Sequence, residues 1–297
     1  MYKRQGSYLG HTVRTPPPFT MGGLQLLAAL AVAEGLDLHR RPPRAESARV
    51  LYEEIQAEAF AGRQSAAFFR APGYARSKAA AAAEAARIRA ANGPAGGAPP
   101  THQTEKVGAV DGAGNVAIAA HSLSGGSWGE TGLFVDGVVL NSRGMQGGRP
   151  RPTVCRPGDR WPSYMCPYVV LRADGGLRFA ATVDGTALVG CNLQVTVNIL
   201  AHDLDLAAAV AAPRWGSRLG VTVTGPLTDR RYVEAFDPAV LDDVERLGQP
   251  LARADDPRYA YGNNSGFWLA VGPADAGGEW MAVSDPRLAG PGFALAE

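Results

Sequence analysis

The sequence predicts an α+β protein in which helices come first and β-hairpins dominate the remainder. Residues 24–32, 44–61 and 78–91 are apolar at helical spacing or rich in alanine, so the first hundred residues are predicted to be helical. Residues 92–100 are almost entirely Gly, Pro, Ala and Asn and are predicted to form an exposed linker. Beyond this linker the apolar period changes to two, which is typical of strands.

Three hairpins with turn-forming residues at their tips are predicted after the linker, at 107–120, 133–140 and 168–183. Helices are predicted at 193–204, 206–212 and 238–247. A strand at 220–224 and a hairpin formed by 267–271 and 280–283 complete the chain. Because the strands pair as hairpins and the helices are grouped between them, we expect α+β layers and not a doubly wound parallel sheet.

Composition excludes several classes of function. The chain has 297 residues, of which 46% are hydrophobic and 19% charged, so it can bury a core and is not mainly disordered. Its net charge of +1 gives no basic surface for nucleic acid. The three cysteines lack C-x-x-C spacing and the five histidines are scattered, so no metal site is predicted. Asp203 and Asp205 are interpreted as helix caps.

Thr104 is the first candidate catalytic residue, because it lies where the linker meets a predicted strand. Cleavage of the Gln103–Thr104 bond would make Thr104 an N-terminal residue, with its hydroxyl as nucleophile and its own α-amine as base. Such an amine has an unperturbed pKa of about 7.7–8.0, near the operating pH. The alternative is that Thr104 begins a strand only because threonine favours β structure.

Ser127 is a rival nucleophile, in the G-x-S-x-G pattern of residues 125–129. A nucleophile elbow requires a helix directly after the serine, whereas residues 130–135 lead into another predicted strand. A glycine-rich loop is therefore the favoured interpretation. A serine esterase remains a weaker alternative.

Six sequence blocks, in the same order, resemble those of the gamma-glutamyltranspeptidases (glutathione hydrolases), which are N-terminal nucleophile hydrolases. Residues 16–23 (PPPFTMGG) resemble the family's PPPSSGG segment, and residues 57–63 (AEAFAGR) resemble its AEAxxxAxxDR helix. Residues 104–115 (TEKVGAVDGAGN) resemble the block that begins with the family's nucleophilic threonine. The other blocks are residues 163–167 (SYMCP), 193–215 (LQV…APRW) and 284–287 (SDPR).

The resemblance implies an αββα four-layer sandwich and a precursor that cuts itself into a large and a small subunit, which stay together. Here the pieces would be residues 1–103, with a linker at 92–103, and a small catalytic subunit at 104–297. The first piece matches only the end of a large subunit, so the chain is expected to be a fragment. No cofactor is implied. The implied partners are a small-molecule amide, either a γ-glutamyl compound or another acyl amide, and water or an amine acceptor. The compartment stays open, because any export signal would lie in the missing portion; family members are often periplasmic or extracellular, and a cytoplasmic location is also possible.

The resemblance assigns catalytic roles to four residues. Thr104 corresponds to the nucleophile, with cleavage between Gln103 and Thr104. Ser122 corresponds to a threonine whose hydroxyl orients that nucleophile. Asp184 and Gly185 correspond to the Gly-Gly pair of the oxyanion hole, so one glycine is replaced here.

The resemblance also places five residues in the substrate pocket, and here the sequence departs from the family. Ser124 stands for an asparagine, and Ser163 and Tyr164 stand for a pair of serines. Asn141 and Arg143 lie in the block where the family holds the substrate's α-amine with a carboxylate, yet residues 141–146 contain no acid. A divergent acyl specificity is therefore expected. The alternative is a non-catalytic or unprocessed homologue that acts as a binding protein.

Overall fold

The computed structural model describes residues 4–17, 20–68, 78–91, 104–122, 132–140, 163, 165–185, 187–217, 231–233, 236–253, 267–274 and 279–286. Its helices are α1 (Met21–Gly35), α2 (Ala48–Phe68), α3 (Lys78–Ala90), α4 (Leu188–Ala201), α5 (Leu206–Ala211) and α6 (Pro238–Arg246), with a 3₁₀ turn at Leu38–Arg40. The expected helices in these ranges are thereby confirmed. Their ends differ from the predicted ones by a few residues, as is usual.

The described strands form four sheets, of six, three, two and two strands. The first seven are β1 (Arg4–Tyr8), β2 (His11–Thr15), β3 (Glu105–Val110), β4 (Val116–His121), β5 (Phe134–Val135), β6 (Val138–Val139) and β7 (Tyr168–Leu171). The rest are β8 (Leu177–Asp184), β9 (Trp215–Ser217), β10 (Arg231–Val233), β11 (Leu251–Arg253), β12 (Phe267–Pro273) and β13 (Trp280–Ser284). All four predicted hairpins are confirmed, whereas the predicted strand at 220–224 lies outside the described residues.

A six-stranded antiparallel sheet forms the centre, in the order β1-β2-β7-β8-β12-β13. One face of this sheet shares a hydrophobic core with α1 and α4, to which Phe179, Val183 and Trp268 contribute. The opposite face carries the β3–β4 hairpin, which packs on β8 and β12. Among the described residues the order of layers is therefore helices, large sheet and hairpin.

The prediction that the first hundred residues are helical is wrong for residues 4–15. Residues 4–15 form the β1–β2 hairpin, which turns at Leu9 and Gly10 with φ values of 47° and 79°. Of residues 5–15 only Tyr8, Val13 and Thr15 are buried, so the sequence lacks a strong alternating pattern. Pairing with β7 fixes the hairpin in the sheet, which is a contact between residues more than 150 positions apart.

Helix α1 is the central helix, buried on nearly every side. It packs against β1, α2, α3 and α4, which explains why its sequence is apolar all round. Helix α3 lies on it through Ala81, Ala85 and Ile88, the small and apolar positions of an otherwise exposed helix.

A buried cluster around the Arg44–Glu54 ion pair connects segments that precede residues 92–103 with segments that follow them. Arg44 pairs with Glu54 at 3.3 Å and donates to the Asn198 side chain at 3.0 Å and to the Pro213 carbonyl at 3.0 Å. Burial lowers the pKa of Arg44 and raises that of Glu54, so the ionised pair depends on these contacts. This cluster ties α2 to α4 and to the segment that follows α5.

Candidate functional site

Thr104 and Ser122 lie side by side at the open end of the β3–β4 hairpin. The last ladder pair at this end is Glu105 with His121, and one further step in the same register sets Thr104 opposite Ser122. Residues directly opposite in an antiparallel pair have Cβ atoms about 4.5–5.5 Å apart. The two hydroxyl groups expected to act together therefore share one face of the hairpin. Thr104 is only 9% exposed.

That face points toward the large sheet. Side chains alternate along β3 and β4, with Glu105 and Val107 exposed and the residues between them covered. Gly108 marks the contact, because a Cβ added there would lie 3.1 Å from Val271 Cγ1 and 3.4 Å from Leu269 Cδ2, both on β12. Thr104 has the same parity as Gly108, so it also faces inward.

The end of β8 lies across from the inner face of the hairpin and forms the other side of the candidate site. Phe179, Ala181 and Val183 of this strand face the helices, so the alternate residues Thr182 and Asp184 face the hairpin. Asp184 is buried, and the Gly185 that follows it has φ +90°, a backbone conformation that favours glycine. The backbone therefore bends at Gly185, directly after the strand.

An ion pair connects the two sides of the candidate site. Lys106 Nζ lies 2.5 Å from Asp184 Oδ2, and the two side chains are only 7% and 12% exposed. Lys106 is two residues after Thr104 and on the same face of β3. The pair therefore brings the start of β3, with Thr104, to the end of β8, with Gly185.

Ser163 is held at the start of α1. It forms an isolated parallel bridge with Thr20, its carbonyl accepts a hydrogen bond from the Met21 N–H at 2.6 Å, and its Oγ accepts one from the Met165 N–H at 3.1 Å. Its expected place in the substrate pocket stays a prediction. The other expected residues, Gln103, Ser124, Asn141, Arg143 and Tyr164, together with the rival Ser127, lie outside the described residues.

Other chemistry-bearing groups have structural partners. Burial raises the pKa of the Cys166 thiol to about 12, so it is not an activated nucleophile. Asp205 caps α5 by accepting a hydrogen bond from the Ala208 N–H at 2.7 Å, as expected. In the ranges that the structure describes, no three His, Cys, Asp or Glu residues are grouped to hold a metal, and no helix is long and apolar enough to cross a membrane.

Two residues of this site were missed by sequence reasoning. Lys106 lies within the block at 104–115, but no local pattern indicates its ion pair, because its partner Asp184 is 78 positions away. Thr182 is fully buried, faces the hairpin beside Asp184, and its Oγ1 has no hydrogen-bond partner among the described residues. A buried threonine in a strand gives no signal of its own, since threonine is common in strands.

The family model of gamma-glutamyltranspeptidase matches residues 4–295 of this chain. The chain belongs to the gamma-glutamyltranspeptidase family. Among curated relatives, an acylase ACY 1 proenzyme from Pseudomonas sp. (strain V22) is 28% identical, over 98% of this chain and 52% of the relative. A glutathione hydrolase proenzyme from Escherichia coli (strain K12) is 26% identical, over 95% of this chain and 50% of the relative. The chain thus spans about half the length of these relatives of the gamma-glutamyltranspeptidase family.

Solved structures confirm the fold expected for a gamma-glutamyltranspeptidase family member. The cephalosporin acylase from Bacillus halodurans superposes with a TM-score of 0.72 at 18% identity, covering 96% of this chain and 51% of that chain. The α+β class and the N-terminal nucleophile hydrolase fold are therefore correct.

Proposed function

We propose that this chain carries the catalytic machinery of a self-processing N-terminal threonine amidohydrolase or acyltransferase with a divergent acyl specificity. The observation that supports it is the register that sets Thr104 opposite Ser122, together with the ion pair that joins this end of the hairpin to the Asp184–Gly185 turn. An N-terminal threonine needs a partner that orients its hydroxyl and donors that receive the developing negative charge. This end of the hairpin offers both.

Cleavage between Gln103 and Thr104 frees the α-amine of Thr104. Thr104 Oγ then attacks the carbonyl carbon of the substrate amide while the α-amine takes up the hydroxyl proton. The Ser122 hydroxyl, on the same face, forms a hydrogen bond that orients Thr104. The leaving amine departs with a proton from the Thr104 ammonium. The acyl-enzyme is then resolved by water or by an amine acceptor.

The turn at the end of β8 receives the negative charge of the tetrahedral intermediate. Its donors are the backbone N–H groups of Asp184 and Gly185, which need no particular side chain but a fixed geometry. The φ of +90° at Gly185 belongs to that geometry. Loss of one such donor typically costs about 2.7–4 kcal/mol of transition-state stabilisation.

The acyl group is inferred to lack the α-amine of a γ-glutamyl substrate. The stretch from Asn141 to Gln146 contains Arg143 and no acid, so it would repel an ammonium and favour a carboxylate or a neutral group. The relatives carry the names of an acylase and of a glutathione hydrolase, so more than one acyl specificity occurs among them. Comparison of glutaryl p-nitroanilide with γ-glutamyl p-nitroanilide, which differ by that amine, tests the inference. A higher kcat/KM for the γ-glutamyl compound would contradict it.

Mass spectrometry of the full-length protein tests the self-processing. We expect two pieces that meet between Gln103 and Thr104, and a single uncut chain for Thr104→Ala. Thr104→Ser, which keeps a hydroxyl, is expected to be cut more slowly. Ser127→Ala serves as the control and should be cut and active like the unmodified protein. An active Thr104→Ala protein whose activity disappears in Ser127→Ala would favour a serine esterase instead.

The comparisons do not favour a non-catalytic binding protein. The gamma-glutamyltranspeptidase family model spans nearly the whole chain, and both curated relatives named above are proenzymes. The nucleophile, its hydroxyl partner and the glycine of the turn are also all present in this sequence as Thr104, Ser122 and Gly185.

A further inference from the structure

The Lys106–Asp184 ion pair lies in the candidate site but has no role in the mechanism above. Its two side chains are almost fully covered, and their charged atoms are 2.5 Å apart. Lys106 is on the inner face of β3, two residues from Thr104, and residues so spaced on one strand lie about 6.6–6.8 Å apart. A buried pair of charges therefore stands next to the atom that must serve as the base.

The other charged groups on the neighbouring strands are farther away or face elsewhere. Glu105 and His121 occupy the exposed face of the hairpin. Arg178 lies on β8 six residues before Asp184, roughly 20 Å along the strand. Strand β12 (FWLAVGP) has no titratable side chain. Among the described residues of the strands packed on β3, Lys106 and Asp184 are thus the charges closest to the Thr104 amine.

We propose that Lys106 is a positioning residue that neutralises Asp184 and so keeps the α-amine of Thr104 unprotonated, as the base that the reaction requires. This inference rests on the proposed function, because the amine exists only after cleavage. A carboxylate alone beside an amine stabilises the ammonium form, whereas a lysine ammonium destabilises it. Where the resemblance places a glycine, this chain has Asp184, and Lys106 supplies the opposite charge that this carboxylate requires.

The two charges must then act on the amine in opposite directions. Lys106→Met removes a positive charge from the neighbourhood of the Thr104 amine, so the pKa of that amine should rise. Asp184→Asn removes a negative charge from the same neighbourhood, so that pKa should fall. Each shift is expected to be about one pH unit, given the Coulomb energy of a charge at this distance near a protein surface. The double variant, which removes both charges, should return the pKa of the Thr104 amine close to its value in the unmodified protein.

The experiment measures the titration midpoint of the Thr104 amine directly in the full-length, processed protein. Reductive methylation with ¹³C-formaldehyde labels the amines, and the signal of Thr104 is identified by its absence from uncut Thr104→Ala. The ¹³C shift is then titrated by NMR from pH 5 to 10 in the unmodified protein, both single variants and the double variant. Arg172→Met, which breaks an exposed 3.7 Å pair with Asp174 at the far turn of β7 and β8, is the matched control and should shift nothing.

Opposite shifts in the single variants with restoration in the double variant support the proposal, since a merely structural role would not change sign. The pH profile of amide hydrolysis should move in the same directions as the midpoints. A processed protein whose Thr104 midpoint is the same in all variants, or moves the same way in both, overturns the inference and leaves the proposed function intact. A full-length protein with no new N-terminus overturns both.

Discussion

At the scale of single residues, the site depends on backbone conformation as much as on side chains. Gly185 is buried, and its φ of +90° is one that residues with a side chain rarely adopt. The turn it forms is where the negative charge of the reaction is expected to develop. The glycine is therefore required for geometry, while its neighbour Asp184 is free to carry a side chain.

Gly185→Ala should lower kcat by as much as about 10²–10³-fold with a smaller effect on KM, because it displaces a donor needed mainly in the transition state. Steady-state kinetics on the preferred p-nitroanilide would measure this. Gly175→Ala is the matched control, since Gly175 has φ +86° but lies at the remote β7–β8 turn with open space around it. Gly175→Ala should lower the free energy of unfolding by a similar amount but leave kcat unchanged. Equal losses of kcat in both variants would refute the role proposed for Gly185 in binding the negative charge.

The resemblance predicts roles for Thr104, Ser122, Asp184 and Gly185 because each corresponds to a family residue, and these roles stay predictions. Sequence reasoning could not find the Lys106–Asp184 pair, because no local pattern joins residues 78 positions apart. Nor could it say that Ser122 lies opposite Thr104, which depends on the register of the hairpin. Residue types are local information, whereas contacts across a sheet are not.

At the scale of elements, the β3–β4 hairpin delivers Thr104 to the site. It could be predicted because Asp111 and Asn115 provide strong turn chemistry: the Asp111 carboxylate accepts hydrogen bonds from the Ala113 and Asn115 N–H groups, each at 2.9 Å. The β1–β2 hairpin could not be predicted, because Leu9 is an unusual residue for a turn position with φ 47° and its strands alternate only weakly. It is held by its tertiary partner β7 instead.

Close approach of the hairpin to the sheet depends on Gly108. A Cβ there would lie 3.0 Å from Ile118 Cδ1 and 3.1 Å from Val271 Cγ1, so the two branches of Gly108→Val have no room. We expect a loss of about 1–3 kcal/mol in the free energy of unfolding, together with slower cleavage at Thr104. Chemical denaturation and a time course of processing would measure the two effects.

Gly112→Val provides the control for this substitution. Gly112 lies in the turn of the same hairpin, and a Cβ there meets nothing within 4 Å. Its processing rate should match that of the unmodified protein. If Gly108→Val were processed equally fast, the hairpin would not position Thr104 through this contact.

At the scale of the whole molecule, segments on both sides of the predicted cleavage point form one body. The large sheet pairs β2 with β7, and the Arg44–Glu54 cluster joins α2 to α4 and to Pro213. Both kinds of contact cross residues 92–103. The division into residues 1–103 and 104–297 remains a prediction about the covalent chain, and these contacts would hold the two pieces together.

Arg44→Met should destabilise the protein by about 3–5 kcal/mol, because it leaves the Glu54 carboxylate buried without its counter-charge. Denaturant unfolding of the full-length protein measures this loss. Arg87→Met is the matched control, because Arg87 forms an exposed pair with Glu84 three residues away on α3, and such pairs contribute about 0–1 kcal/mol. Equal losses of unfolding free energy in the two variants would show that the buried cluster does not stabilise the contact between the segments before and after residues 92–103.

The pairing of β2 with β7 has a consequence for timing. Strand β8, which ends at Asp184, pairs with β7, and β7 in turn pairs with β2 from the beginning of the chain, so this half of the sheet is complete only when both segments are in place. The cleavage proposed between Gln103 and Thr104 is therefore expected to follow folding, because two halves made separately would each lack a strand neighbour in this sheet.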